Sequence, residues 1–150
     1  MSEHKVYLSW KNEGEDFLYK TYDRSHLWEF EGGTLIKASA APDYLGKAEL
    51  VNPEEAFAAS LSSCHMLTFL AIASMKKYRV ATYEDNARAI LGKNEKRKMR
   101  VKTLYIRPNI TFKGDNIPDN TTIDEMHHRA HQECFIANSV LTEIIVEPVY

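Results

Sequence analysis

The residues best suited to chemistry in this chain are its two cysteines, Cys64 and Cys134. A thiolate attacks peroxides and disulfides and binds soft metals, whereas a buried free thiol packs as a small hydrophobe. The two stand seventy positions apart, with no Cys-x-x-Cys loop, so each must act from its own element. Histidines gather near both. His127 and His131 precede Cys134 at the spacing of one helical face, and His65 follows Cys64. Zinc takes such ligands. However, three ligands along one helix spread over about 10 Å of axis, so His127, His131 and Cys134 cannot meet one ion. Only His131 and Cys134 together with Cys64 would serve. No metal and no cofactor are expected, and zinc binding is the alternative.

Positioning Cys64 falls to the stretch from Asn52 to Met75, which reads as a long helix. Asn52 suits the N-cap and Pro53 the first helical position. Glu54 and Glu55 place negative charge at the positive end of the dipole. From Ala56 to Met75 no residue is charged except a protonated His65, and a helix apolar all round is a central helix. Its length approaches a membrane span, but serines, Thr68, Cys64 and His65 interrupt it. Cys134 closes a second helical run capped by Thr121 or Thr122.

Three stretches together resemble the OsmC/Ohr family, the osmotically induced protein C and organic hydroperoxide resistance proteins. Asn52-Pro-Glu-Glu-Ala-Phe-Ala-Ala-Ser-Leu-Ser-Ser-Cys64 resembles its first-cysteine motif. Tyr22-Asp-Arg24-Ser-His-Leu-Trp-Glu-Phe-Glu-Gly-Gly33 resembles its early arginine strand, and Ala130-His-Gln-Glu-Cys134-Phe-Ile-Ala-Asn138 its second-cysteine helix. They occur in family order, over roughly residues 15 to 148. Two positions depart from the hydroperoxide enzymes: Phe135 stands where they usually carry proline, and His65 where an apolar residue is typical. The chain resembles a side branch.

That resemblance implies a cysteine-based, thiol-dependent peroxidase that reduces organic hydroperoxides in oxidative stress defence. Cys64 would attack the peroxide and become a sulfenic acid, and Cys134 would condense with it to a disulfide. A lipoyl-type or thioredoxin-like dithiol would reduce that disulfide. An apolar helix opposes thiolate formation, and Arg24 is the compensating cation, permanently charged and forked. Glu54, ten positions before Cys64, would hold the arginine, while Glu55 serves the dipole. Ten residues of unbroken helix span about 15 Å, so Glu54 acts through Arg24, or from a partner chain, or the helix breaks. Phe57, Phe69, Tyr22 and Trp28 are candidates to line an apolar substrate pocket. A non-catalytic small-molecule binder of the same fold is the other alternative.

The remaining composition bounds the answer. One hundred and fifty residues suit a single domain. Nineteen basic against twenty-one acidic residues give a net charge of −2, no field for nucleic acid or an anionic membrane. The basic run Lys93–Arg100 reads as a solvated hairpin loop. A polar N-terminus and two cysteines point to the cytoplasm and to a transient disulfide at most. Strands are expected over 4–10, 17–30, 34–40, 80–91, 101–112 and 139–149, with Pro108 at an edge or bulge. Strands, long helix, strands, helix, strand is an α+β order with antiparallel pairing. Sheets on one side would leave the long helix half bare, and the family resemblance implies an intertwined homodimer with antiparallel sheets wrapped around both central helices.

Overall fold

Helix α1 runs unbroken from Pro53 to Met75 in the computed structural model, which describes residues 1–150. Its start is a reciprocal capping box. Asn52 Oδ1 accepts from the Glu55 amide at 2.9 Å, and Glu55 Oε2 accepts from the Asn52 amide at 3.1 Å. Glu55 therefore does more than complement the dipole. The chain divides into two compact units, residues 1–56 and 57–150.

In the first unit, β1 (Val6–Ser9), β2 (His26–Phe30) and β3 (Leu35–Ala38) form an antiparallel sheet in that order. The strand expected from Phe17 begins only at His26. Residues 17–25 loop instead, because their aromatics pack on one another: Phe17 lies 5.6 Å from Trp10 and 5.0 Å from Tyr22, ring to ring. A short 3-10 helix, Pro42–Tyr44, follows β3. Behind it Gly46 passes so close to Ala40 that a Cβ would fall 1.6 Å from the Ala40 carbonyl oxygen, which only glycine allows.

In the second unit, both long strand-like stretches divide. Residues 80–91 become β4 (Arg79–Asp85) and β5 (Arg88–Lys93), and 101–112 become β6 (Met99–Ile106) and β7 (Pro108–Lys113). Strand β4 pairs with β7 and β5 with β6, both antiparallel, so each break moves the chain from one sheet to the other. Pro108 is the first residue of β7, where its missing N–H is harmless. Between β5 and β6 the basic run is the exposed hairpin loop expected, closed by the Asn94 amide donating to Lys98 O at 2.9 Å. Helix α2 (Asn120–Glu133) starts two or three residues earlier than Thr121 or Thr122 as its cap would place it. Asp119 is its N-cap and accepts from the Thr122 amide at 2.8 Å. After α2 the chain returns as β8 (Glu143–Val146), parallel to β6. The last strand was expected, but antiparallel pairing gives it the wrong direction, since a helical crossover lets the chain return in the same direction.

One face of α1 supplies the core of this unit. Phe69, Ile72 and Ala73 pack with Ile123, Met126 and Ala130 of α2, and Ala58 and Leu61 pack with Leu104 and Ile106 of β6. Fully buried, Phe69 alone contributes roughly 1.5–3 kcal/mol. Within one chain the opposite face, Ala59, Ser63, Leu67, Ala71 and Met75 at every fourth residue, is exposed. By length and composition alone α1 would also span a membrane, as a soluble core helix often would.

Candidate active site

Cys64 projects from the middle of α1 and Cys134 closes the end of α2 as its C-cap. Both are free thiols, Cys64 half-buried and Cys134 fully buried, and the Cys64 side chain neighbours Cys134. Burial pushes the Cys134 thiol up to about 11, and the neighbouring Cys64 sulfur adds to this. Two amides oppose the shift: those of Ala137, donating at 3.4 Å, and Ile136. Cys134 is thus a thiol at neutral pH, beside the other sulfur. Asn138 finishes α2 by donating its side-chain amide to Gln132 O at 2.8 Å and Cys134 O at 3.1 Å. Phe135, at the family's proline position, turns outward with 81% exposure and takes no part in the thiol contact.

Two further contacts fix the helices. Ser62 donates to Asp85 Oδ2 at the end of β4, and Asp85 Oδ1 accepts from the Arg107 amide at 2.7 Å. Deeper in the unit, His65 Nε2 and His127 Nδ1 are 3.0 Å apart, with Phe69 against the His127 ring at 4.4 Å. Burial holds both imidazoles neutral. It lowers His65 to about 3, helped by His127 and His131, and His127 to about 4 against the pull of Asp124. His127 is therefore committed to His65 and Cys134 to Cys64. No three His, Cys, Asp or Glu side chains converge as an ion would require.

In the first unit, Arg24 is half-buried and occupied. Its Nη1 donates to Tyr22 O at 3.0 Å and its Nη2 to Tyr19 O at 2.7 Å, while the guanidinium lies 3.9 Å over the Tyr22 ring. Glu54 is half-buried in the first turn of α1 and forms no ion pair with it. Beside Arg24, Asp23 is held well below the usual carboxylate range by Lys47, whose ammonium donates at 2.8 Å, and by Ser25. The arginine sits in the wall of a cleft of about 530 Å³ lined by Trp10, Phe17, Tyr19, Tyr22, His26 and Tyr44.

Of the aromatics expected to line a pocket, Tyr22 does so. Phe69 is sealed in the core, Phe57 packs against Leu61 and its neighbours, and Trp28 stands in β2 outside the cleft. Sequence reasoning missed Trp10 and Phe17 in that cleft, whose only signal was their aromatic type. It noted His65 and His127 separately, without a sign that they would meet.

Comparisons with known proteins give the family and the fold. Residues 46–148 match the family model of the OsmC-like proteins. An OsmC-like protein of unknown function from Vibrio cholerae is 48% identical over 99% of this chain and 100% of its own, with a TM-score of 0.96. The organic hydroperoxide resistance protein OhrB of Bacillus subtilis shares the fold at 17% identity, covering 99% of this chain and 98% of its own, with a TM-score of 0.70. An organic hydroperoxide resistance protein from Elizabethkingia anophelis does so at 18%, covering 99% and 94%, with a TM-score of 0.71. No curated protein matches the sequence. Its fold is the α+β fold of the OsmC and organic hydroperoxide resistance proteins, and the chain belongs to the OsmC-like protein family.

Proposed function

We propose that this protein is a cytoplasmic, cysteine-based peroxidase that reduces organic hydroperoxides through a Cys64–Cys134 disulfide, in defence against oxidative stress. The observation that carries this reading is the thiol contact itself. Two helices bring cysteines seventy positions apart in sequence next to each other, both as free thiols. The Cys64 thiolate attacks the outer peroxide oxygen, forming a sulfenic acid and releasing an alcohol. Cys134, kept as a thiol by burial, then attacks that sulfur, forming the disulfide and releasing water. A lipoyl-type or thioredoxin-like dithiol closes the cycle. Arg24 is the cation for the thiolate and Glu54 the acid that orients it, once the arginine leaves the carbonyls of Tyr19 and Tyr22.

A second copy of the chain belongs to this reading. The uncovered face of α1 is apolar or small throughout, with Leu67 at 60% and Met75 at 69% exposure. Apolar helix faces of that kind are covered in soluble proteins. A homodimer covers them with the same face of its partner.

Titrating reduced protein with one equivalent of cumene hydroperoxide tests the pairing. Intact mass should show loss of the two thiol hydrogens, and peptide mapping should join the Cys64 and Cys134 peptides. Thiols that persist would remove the peroxidase and leave the aromatic cleft around Arg24 as a small-molecule binding site.

A further inference from the structure

The aromatic cleft of the first unit holds a charge that no acid of the chain balances. Five rings wall it, those of Trp10, Phe17, Tyr19, Tyr22 and Tyr44, around a space of about 530 Å³. Every lining residue lies within residues 10–53, and Arg24 is the one permanently charged side chain among them. No carboxylate lines the cleft or stands within ion-pair distance of the arginine. Asp23, next to it in sequence, is taken by the Lys47 ammonium and the Ser25 amide. The Tyr19 and Tyr22 carbonyls use two of the five guanidinium hydrogens, and three remain without a partner.

The walls are fixed before any ligand arrives. Trp10 Nε1 donates to Asp23 O at 2.7 Å, which pins the indole, and the rings of Phe17 and Tyr22 lie 5.6 and 6.2 Å from it. His26 Nδ1 donates to Arg24 O at 2.9 Å, since a carbonyl only accepts. Side chains held in this way lose little freedom on binding, which favours a ligand. Their apolar surface is nevertheless open, with Phe17 at 65% and Tyr19 at 72% exposure. Apolar surface gathered around a few polar groups is the usual make-up of a small-molecule site. Rings pack on rings edge to face or offset, and a guanidinium fork matches a planar carboxylate through two parallel bonds.

We propose that this cleft binds a flat aromatic carboxylate, its rings against the aromatic walls and its carboxylate on the free hydrogens of Arg24. A purely apolar molecule would leave the arginine unpaired, and a small inorganic anion would leave the rings bare. A space of this size takes a fused two-ring acid. Binding engages Arg24 where it already sits, on the Tyr19 and Tyr22 carbonyls, and uses neither thiol. The site therefore stands apart from the peroxidase reading.

Titrating reduced wild-type protein with naphthoate, in the absence of hydroperoxide, tests this. In proton–nitrogen correlation spectra the Trp10 indole N–H should move saturably, with a dissociation constant on the order of 100 μM, the range open to about a dozen heavy atoms. The Trp28 signal, assigned with Trp28→Phe and outside the cleft, should move far less. Naphthalenemethanol has the rings without the charge, and octanoate the charge without a ring. Each should bind at least about tenfold more weakly than naphthoate. Arg24→Met should abolish the preference for the acid while binding the alcohol as the wild type does, which also shows the cleft intact. A Trp10 signal unmoved by millimolar naphthoate overturns the site and leaves its walls to a second copy of the chain. Octanoate binding as tightly as naphthoate overturns the need for a ring. Equal binding of acid and alcohol by the wild type, or an acid preference that survives in Arg24→Met, overturns the part given to the arginine. With no peroxide present, a failed peroxidase assay leaves these results untouched.

Discussion

Cys134, the C-cap of α2, neighbours Cys64 in the middle of α1, and burial keeps Cys134 a thiol, whereas Cys64 is only half-buried. The two sulfurs are therefore unequal before any peroxide arrives. In a Cys134→Ser variant, excess hydroperoxide should carry Cys64 to sulfinic acid, because no thiol remains to trap the sulfenic acid. Peptide mass spectrometry reads the site directly. Overoxidation of Cys134 in the Cys64→Ser variant, at a comparable rate, would reverse the two roles.

The arginine is held away from Glu54 by the carbonyls of Tyr19 and Tyr22. Arg24→Met keeps the stem and removes the charge, so peroxide reactivity should fall on the order of a thousandfold, the scale of losing one preorganised electrostatic group. Glu54→Gln should cost less. Glu55→Gln should leave reactivity near wild type, since glutamine can still close the capping box with Asn52. Stopped-flow thiol loss in the three variants gives the ranking, and an unaffected Arg24→Met protein would reduce Arg24 to a binder of its own loop.

Asn52→Ala removes the acceptor of the Glu55 amide and breaks the reciprocal bond. Chemical unfolding should show a loss of about 1 kcal/mol, with reactivity per folded molecule unchanged.

The buried histidine pair makes stability depend on acid. His65 and His127 are held at about 3 and about 4, below the unfolded value of 6.5. The unfolded chain therefore binds more protons between those limits, and stability rises with pH across that window. It should be complete above pH 6.5 and drain away as pH falls towards 4 and then 3. Urea midpoints at a series of pH values should show this slope, and His127→Phe should flatten it. Asp124, which pulls the other way on His127, should extend the slope to lower pH when replaced by Asn.

Leu67→Glu places a charge in the middle of the exposed apolar face of α1. Light scattering should show a homodimer for the wild type and a monomer for this variant. A wild-type monomer at micromolar concentration would leave that face to another partner.

How much of this was legible in the sequence depends on how local each cause is. The start of α1 could be read because Asn52, Pro53 and the two glutamates satisfy the helix's own first turn. The breaks at Asn86 and Arg107 could not. The apolar alternation runs through them, and the change of sheet comes from partners distant in sequence. The Asp119 cap was hidden by two threonines of similar chemistry immediately after it. Cys64 and Cys134 came together only through the family resemblance, since spacing says nothing about which helices touch. His65 and His127 were plain in the sequence as residues, but their bond joins positions 62 apart on different helices.

The most direct test of the central claim is single-turnover thiol loss in reduced wild-type protein mixed with cumene hydroperoxide. The contact between Cys64 and Cys134 predicts loss of both thiols in one fast phase, orders of magnitude faster than for free cysteine at the same pH, ending in an intramolecular disulfide. Thiol loss at the rate of free cysteine would contradict the peroxidase account.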